Sequence, residues 1–164
     1  MTKAILLVGG KGTRLAPLTN QTPKPMLKVA GKPVTEHQIV KAREAGITEI
    51  VLATSYLAEV FEPYFGDGSK FGITIRYAVE ETPLGTGGAI ANAADLLSLE
   101  ENESVAIFNG DVLSAHDLSQ QINLHHSKSA DVTLYLTEVE DARAYGCVPV
   151  NEDGHVLEFL EKMD

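Results

Sequence analysis

Glycines and cations cluster near the N-terminus in a pattern that suits an oxyanion. The segment is Gly9-Gly10-Lys11-Gly12-Thr13-Arg14, and Pro23-Lys24-Pro25-Met26 follows it closely. Glycines let successive backbone N–H groups converge on phosphate oxygens, and Arg14 and Lys24 add positive charge. The segment is not a P-loop, because no Gly-Lys-Ser/Thr ends it, and Leu15 replaces the third glycine of a dinucleotide fingerprint. It predicts a phosphate site; the alternative is a flexible surface loop.

Two carboxylates further along the chain also suit chemistry. Asp111 lies in the turn Asn109-Gly110-Asp111 after an apolar run, and its hard oxygens are ligands that Mg²⁺ prefers. The alternative is a plain turn or a helix cap. Glu80 also follows an apolar run, and its two acceptors match the N1–H and N2–H₂ edge of guanine. The alternative is a solvated glutamate beside Glu81.

Strands and helices must alternate to position these residues. The pattern predicts strands at 4–8, 49–54, 73–79, 104–108 and 131–137, helices at 35–45, 56–65, 85–97 and 117–127, and a hairpin at 147–160 that turns at 151–154. Such βαβ units imply a three-layer α/β/α, Rossmann-like domain with a mostly parallel sheet, predicted as one domain over residues 1–164. Ligands bind beyond the carboxyl ends of such strands. The loops after Val8, Val79 and Phe108 are therefore the candidate site.

Composition and charge narrow the classes of protein that fit. The chain has 164 residues, 44% of them hydrophobic and 22% charged, as one globular domain does. Its apolar runs fall short of the roughly 20 residues that a membrane helix needs. No cleavage site of a signal peptide follows the first run, and the single Cys147 excludes an intrachain disulfide framework. We therefore expect a cytoplasmic protein without a membrane partner.

The net charge of −10 is unevenly distributed. Residues 1–43 carry +7 and the remainder carries −17. An acidic body disfavours nucleic-acid binding, whereas a basic segment attracts small anions. The charge pattern thus favours a small anionic ligand and no nucleic acid.

Five ordered motifs resemble those of the sugar-1-phosphate nucleotidylyltransferases, most similar to the mannose-1-phosphate guanylyltransferase branch. They are the glycine segment with its Lys-Pro-Met, Pro83-Leu84-Gly85-Thr86-Gly87, Asn109-Gly110-Asp111-Val112, Tyr145-Gly146-Cys147-Val148 and Phe159-Leu160-Glu161-Lys162. The resemblance implies a nucleotidyltransferase fold, Mg²⁺, and the reaction of a nucleoside triphosphate with a sugar 1-phosphate to an NDP-sugar and pyrophosphate. GTP and mannose 1-phosphate are the expected substrates, and GDP-mannose is the expected product.

The resemblance also implies roles for individual residues. Arg14 would clamp the leaving pyrophosphate, Lys24 would reach the α-phosphate, and Asp111 would hold the metal. The other implied nucleotide-binding residues are Leu6, Gly9, Gly10, Gly12, Thr13, Glu80, Gly85 and Thr86. The implied sugar-phosphate residues are Gly110, Gly146, Glu161 and Lys162.

The resemblance leaves alternatives open because the chain is short at its C-terminal end. The family's core continues further and carries a second metal carboxylate there, so Asp111 stands alone in this sequence. One alternative is a catalytically incompetent nucleotide- or sugar-nucleotide-binding homologue. Another is an enzyme for glucose 1-phosphate with UTP or dTTP. An unpaired sheet edge invites association, which leaves a homo-oligomer open.

Overall fold

A parallel sheet with helices on both faces organises the computed structural model, which describes residues 2–10, 12–82, 84–101, 103–141 and 145–160. The strands are β1 (Lys3–Leu7), β2 (Lys28–Val29), β3 (Lys32–Pro33), β4 (Glu49–Thr54), β5 (Thr74–Val79) and β6 (Val105–Asn109). The helices are α1 (Val34–Glu44), α2 (Phe61–Phe65), α3 (Gly85–Ala94) and α4 (Leu118–Lys128), with 3₁₀ turns at Thr13–Leu15, Lys24–Met26, Ala58–Val60 and Ser69–Phe71. The main sheet has the order β5-β4-β1-β6 and is parallel throughout, while β2 and β3 form a small antiparallel pair.

Strand β1 lies inside the sheet and is buried on both faces. Its residues Ala4, Ile5 and Leu6 are all fully buried. Because successive side chains of a strand point to opposite faces, Leu6 joins a core with α1 and α2, and Ile5 joins a core with α3. The continuous apolar run thus forms a central strand between two helical layers. The predicted α/β/α architecture with a mostly parallel sheet is confirmed.

Most predicted elements agree with the structure to within a few residues. The strand expected at 49–54 has those bounds as β4, and α1 ends just before Gly46, which has φ 84°. The helix expected at 56–65 begins later, as a 3₁₀ turn that is followed by α2, because Leu57 takes a left-handed conformation with φ 53°. A helix cannot pass through such a residue.

The predicted strand at 131–137 is wrong. Among the described residues, this segment belongs to no sheet ladder or isolated bridge. Its alternation of Val132, Leu134 and Leu136 is typical of a strand, but those side chains are exposed. A strand needs a neighbouring backbone for its hydrogen bonds, and the local pattern does not supply one.

The chain divides into two compact units, residues 1–122 and residues 123–164. The first unit, as we call it below, contains the sheet and its cores. The second unit contains a hairpin in which Cys147 pairs with Leu160 and Val150 with Val156, as predicted. The interpretation of residues 1–164 as one domain stays a prediction. Within the described residues, none of the helices has the length and apolar character of a membrane span.

Candidate active site

A cavity of about 520 Å³ opens where the four parallel strands end. Residues at or just after the ends of β1, β4, β5 and β6 line it, together with the first turn of α3. The lining residues are Leu7, Gly9, Gly10, Gly12, Thr13, Arg14, Leu15, Lys24, Pro25, Ala53, Ser55, Glu80, Gly85, Thr86, Ala89, Asn109 and Asp111. The parallel sheet thus brings four distant segments of the first unit to one place, as the rule for such sheets predicts.

The glycine loop after β1 is fixed against its surroundings. The Gly9 N–H donates to the Ala53 carbonyl at 3.0 Å, and a Cβ on Gly9 would lie 2.6 Å from the Ser55 hydroxyl. Gly12 has φ 56°, and its carbonyl accepts a hydrogen bond from the buried Thr19 hydroxyl at 3.0 Å. A Cβ there would meet both Thr19 and Lys24 at 3.1 Å. Glycine is therefore favoured here, because a side chain would strain the backbone and press on Thr19 and Lys24.

Lys24 and Asp111 form an ion pair inside this cavity. The Lys24 Nζ lies 2.6 Å from the Asp111 Oδ2, although the residues are 87 positions apart in the chain. Their side chains are 35% and 39% exposed, so both remain accessible from the cavity. Lys24 begins a 3₁₀ turn whose Pro25 and Met26 are buried, which anchors it. The two residues predicted to act on phosphate and metal therefore lie side by side.

Asp111 sits at the tip of a tight turn after β6. The Val112 N–H donates to the Asn109 carbonyl at 3.2 Å, and the Gly110 N–H donates to the Leu7 carbonyl at 2.8 Å. A Cβ on Gly110 would lie 2.6 Å from that carbonyl oxygen, so a side chain at this position would push the turn away from β1. Gly110 does not line the cavity; it supports the turn that does.

Helix α1 holds the chain that follows this turn. The Lys41 Nζ donates to the Ser114 carbonyl at 2.9 Å and lies 3.2 Å from the His116 Nδ1. Burial lowers the pKa of Lys41, because desolvation disfavours its charged form. Burial likewise lowers the pKa of His116, and the neighbouring Lys41 charge lowers it further. Both directions are consistent with a contact that is only partly exposed to solvent.

Glu80, just after the edge strand β5, and the start of α3 also line the cavity. The Glu80 N–H donates to the Thr54 carbonyl at 2.9 Å, which extends the pairing of β5 with β4, and its Oε2 accepts from the Leu84 N–H at 3.3 Å. Leu84 is the N-cap residue of α3, and its own side chain makes no capping hydrogen bond to the helix. Gly85 and Thr86 line the cavity there, so the first N–H groups of the helix are available to an anion.

The donor set at the Asp111 turn fits a metal that arrives with phosphates. Within the described residues, no three or more His, Cys, Asp or Glu side chains are grouped so that they could hold a metal ion. Mg²⁺ is commonly bound by one or two carboxylates, with waters and substrate phosphates completing its octahedron. A single accessible carboxylate beside the glycine loop suits that arrangement and does not suit an all-protein metal cage.

Most of the sequence-predicted residues line the cavity, and their roles stay predictions. The residues that line it are Gly9, Gly10, Gly12, Thr13, Arg14, Lys24, Glu80, Gly85, Thr86 and Asp111. The Leu6 side chain is fully buried in the core, and Leu7 lines the cavity instead because alternate side chains of β1 face opposite ways. Gly146 lies in the second unit, and Glu161 and Lys162 lie outside the described residues.

Several residues that line the cavity were not predicted from the sequence. Ser55 directly follows β4, so the rule on strand ends would have found it if applied to that strand. Asn109 was part of a predicted motif but had no role assigned. Pro25 and Leu15 lie inside the predicted loops, whereas Ala89 gave no signal because small residues are common in helices.

A comparison with protein families decides the classification of this site. Residues 3–163 match the sequence model described as nucleotidyl transferase. The chain belongs to the nucleotidyl transferase family. The cavity therefore belongs to a nucleotidyl transferase domain, and it is lined by the glycine loop, the Lys-Pro-Met turn and the Asp111 turn.

Within the nucleotidyl transferase family, the chain is similar to proteins named mannose-1-phosphate guanylyltransferase. It is 53% identical over 161 residues to mannose-1-phosphate guanylyltransferase of Mycobacterium tuberculosis, covering 98% of this chain and 44% of the relative. It is 38% identical to the mannose-1-phosphate guanylyltransferase catalytic subunit beta of Drosophila pseudoobscura pseudoobscura, covering 98% and 43%. The chain therefore spans less than half the length of these curated relatives.

A solved structure supports the fold of the nucleotidyl transferase domain. The structure of HddC from Yersinia pseudotuberculosis complexed with GMP-PN aligns with a TM-score of 0.75 and 29% identity, covering 99% of this chain and 70% of that one. The alignment includes nearly the whole of this chain.

Proposed function

We propose that this chain binds GTP together with Mg²⁺ and transfers its GMP group to mannose 1-phosphate, giving GDP-mannose and pyrophosphate. We also propose that residues 1–164 act as one nucleotidyltransferase domain. The observation that carries the proposal is the cavity in which the glycine loop, Lys24 and Asp111 meet. The 53% identity to a mannose-1-phosphate guanylyltransferase supports the choice of substrates.

The proposed reaction is an in-line displacement at the α-phosphorus. An oxygen of the sugar phosphate forms a bond to this phosphorus while the bond to the β-phosphate breaks, and the electron pair leaves with pyrophosphate. The protein mainly orients the reactants and neutralises their charge. Backbone N–H groups of Gly10, Gly12 and Thr13 bind the triphosphate, and Arg14 binds the departing pyrophosphate.

Lys24 and Asp111 serve the α-phosphate from one side of the cavity. Lys24 donates to the α-phosphate oxygens, where negative charge accumulates in the transition state. Asp111 would hold Mg²⁺, which supplies positive charge that neutralises the phosphates when it is bound. The 2.6 Å separation of the Lys24 Nζ and the Asp111 Oδ2 supports these two roles, because it puts both charged groups within reach of the same phosphate.

Glu80 reads the base in this proposal, and the sugar phosphate is bound by later residues. The Glu80 carboxylate accepts from N1–H and N2–H₂ of guanine, whereas uracil or thymine would present a carbonyl to it. Its place in the same cavity as the glycine loop, just after the edge strand β5, supports this role. Thr86, Gly85 and Gly9 complete the nucleotide site. The sugar-phosphate residues are proposed to be Gly110, Gly146, Glu161 and Lys162.

The experiment is to incubate the 164-residue chain with GTP, mannose 1-phosphate and Mg²⁺ and to quantify GDP-mannose and pyrophosphate. Lys24→Met should lower the rate by about 10²–10³, the usual cost of one contact to developing charge. Lys70→Met is the matched control, because Lys70 lies over the Tyr64 ring and not in the cavity. Equal rates for the two variants would contradict the role of Lys24. GTP binding without turnover would support the non-catalytic homologue instead.

A further inference from the structure

We infer that Gln38 is a positioning residue for Asp111: its side-chain amide holds both ends of the turn that carries the carboxylate. This inference rests on the proposed function, since it assigns Gln38 a part in placing the carboxylate for Mg²⁺. None of the sequence motifs includes this glutamine, which lies in the middle of α1.

The contact between Gln38 and the turn uses both protons of one amide group. The Gln38 Nε2 donates to the Asn109 carbonyl at 2.7 Å and to the Val112 carbonyl at 2.6 Å. These two carbonyls belong to the first and last residues of the turn, with Gly110 and Asp111 between them. A carboxylate has no proton for either carbonyl, and an aliphatic side chain has no donor at all. The amide therefore matches this pair of acceptors in a way that few side chains can.

Helix α1, which carries Gln38, is packed firmly into the core. Gln38 is buried, and the next residue of α1, Ile39, is fully buried in the core beneath the sheet. The turn is also fixed from the other side, because the Gly110 N–H donates to the Leu7 carbonyl of β1 at 2.8 Å. The Asp111 carboxylate thus projects from a turn that is held between β1 and α1. A ligand held in this way needs little reordering when a metal binds.

The Gln38 side chain has a cost in stability as well as a benefit. The Gln38 Oε1 is buried and has no hydrogen-bond partner among the residues that the structure describes. A buried acceptor without a partner opposes folding, whereas the amide donates to two carbonyls that a methionine would leave without this donor. The position therefore uses the donor of the amide and tolerates its acceptor, as expected of a group that holds the turn.

The experiment measures GTP affinity by calorimetry at saturating Mg²⁺ and with the metal chelated, for the 164-residue chain and two variants. Gln38→Met removes both hydrogen bonds, and Ile39→Val is the matched control because it loses a buried methyl group on the same helix. We expect Gln38→Met to lower the ratio of the two affinities by about tenfold, the lower end of the effect of partners that orient metal ligands. Ile39→Val should lower the melting temperature and keep the wild-type ratio.

The outcomes separate this inference from the proposed function. A Gln38→Met chain that melts earlier but keeps the wild-type ratio would show a structural role only and would overturn the inference. A wild-type chain whose GTP affinity does not respond to Mg²⁺ would overturn the proposed metal role, and this inference with it. If Gln38→Met does not fold, Gln38→Asn gives the same test, because its shorter side chain keeps the amide but cannot reach both carbonyls.

Discussion

The two units of the chain treat their apolar side chains in opposite ways. In the first unit, Phe61 and Phe65 are fully buried against a four-stranded sheet. In the second unit, Val132, Tyr145 and Phe159 are 74%, 77% and 69% exposed, and only a hairpin joins its described strands. The first unit thus has a packed core that fixes side chains in place, and the described residues of the second unit form no such core.

This difference indicates which unit should recognise the nucleotide. Among the described residues, all those that line the cavity belong to the first unit. Accurate placement of charged groups requires rigid supporting elements, and here β1, β6 and α1 supply them. Substitutions in the core of the first unit should therefore alter stability, and those in its cavity should alter nucleotide binding; matched substitutions in the second unit should alter neither.

The largest effect should be on stability, and it tests the comparison directly. Phe61→Ala should lower the free energy of unfolding by about 3–5 kcal/mol, because it leaves a cavity in the core. Phe159→Ala should change it by less than about 0.5 kcal/mol, because the side chain is mostly exposed. Urea unfolding followed by circular dichroism measures both. A comparable loss for Phe159→Ala would break the comparison, since it would mean that the second unit packs its aromatic residues in solution.

The same contrast explains how much of the fold the sequence could predict. Burial on both faces leaves a continuous apolar run, which is why β1 and β4 were predicted well. The alternating run at 131–137 has a strand's local pattern, but strand formation depends on a partner elsewhere in the chain. The local sequence therefore records whether a strand is buried on both faces. It does not record whether a partner strand exists elsewhere in the chain.

The location of the site could be predicted from the sequence, but its tertiary contacts could not. Strand ends and glycine spacing located the cavity, because the geometry of parallel sheets imposes them. They could not tell that Leu7 and not Leu6 faces it, because that depends on which side of β1 each helix packs. The contact of Lys24 with Asp111 and that of Gln38 with the turn join residues more than 70 positions apart. Such contacts follow from tertiary packing and leave no mark in the local sequence.

Removing the Asp111 charge should have the next largest effect. Asp111→Asn keeps the shape of the side chain but loses the charge that a hard dication needs. We expect the Mg²⁺ concentration for half-maximal enhancement of GTP binding to rise by about 100-fold, the upper end of the loss seen when orienting partners are removed. Asp153→Asn, in the exposed hairpin turn of the second unit, is the control. A Mg²⁺ titration that Asp111→Asn leaves unaltered would make Asp111 a structural turn residue.

The choice of base should change by a smaller factor. The wild-type chain should bind GTP at least about tenfold more tightly than UTP or dTTP, which corresponds to about 1.4 kcal/mol. Glu80→Gln should narrow or reverse this preference, because an amide supplies one donor and one acceptor. Glu158→Gln, an exposed carboxylate of the second unit, should leave it as in the wild type. Competitive binding at constant Mg²⁺ measures the preference, and a wild-type preference for UTP would exclude Glu80 as the reader of guanine.

The smallest effect should come from Arg14, which lines the cavity but is exposed. Its proposed partner is the leaving pyrophosphate, so Arg14→Ala should weaken GTP binding more than GMP binding. Solvent screens a charge at such a position, and exposed ion pairs contribute up to about 1 kcal/mol. The ratio of the GTP affinity to the GMP affinity should therefore fall by about fivefold. Lys128→Ala removes an exposed charge of the second unit and should leave this ratio as it is. Calorimetry with both nucleotides decides the matter: equal losses of GTP and GMP affinity would place Arg14 on the α-phosphate or the nucleoside, and not on the pyrophosphate.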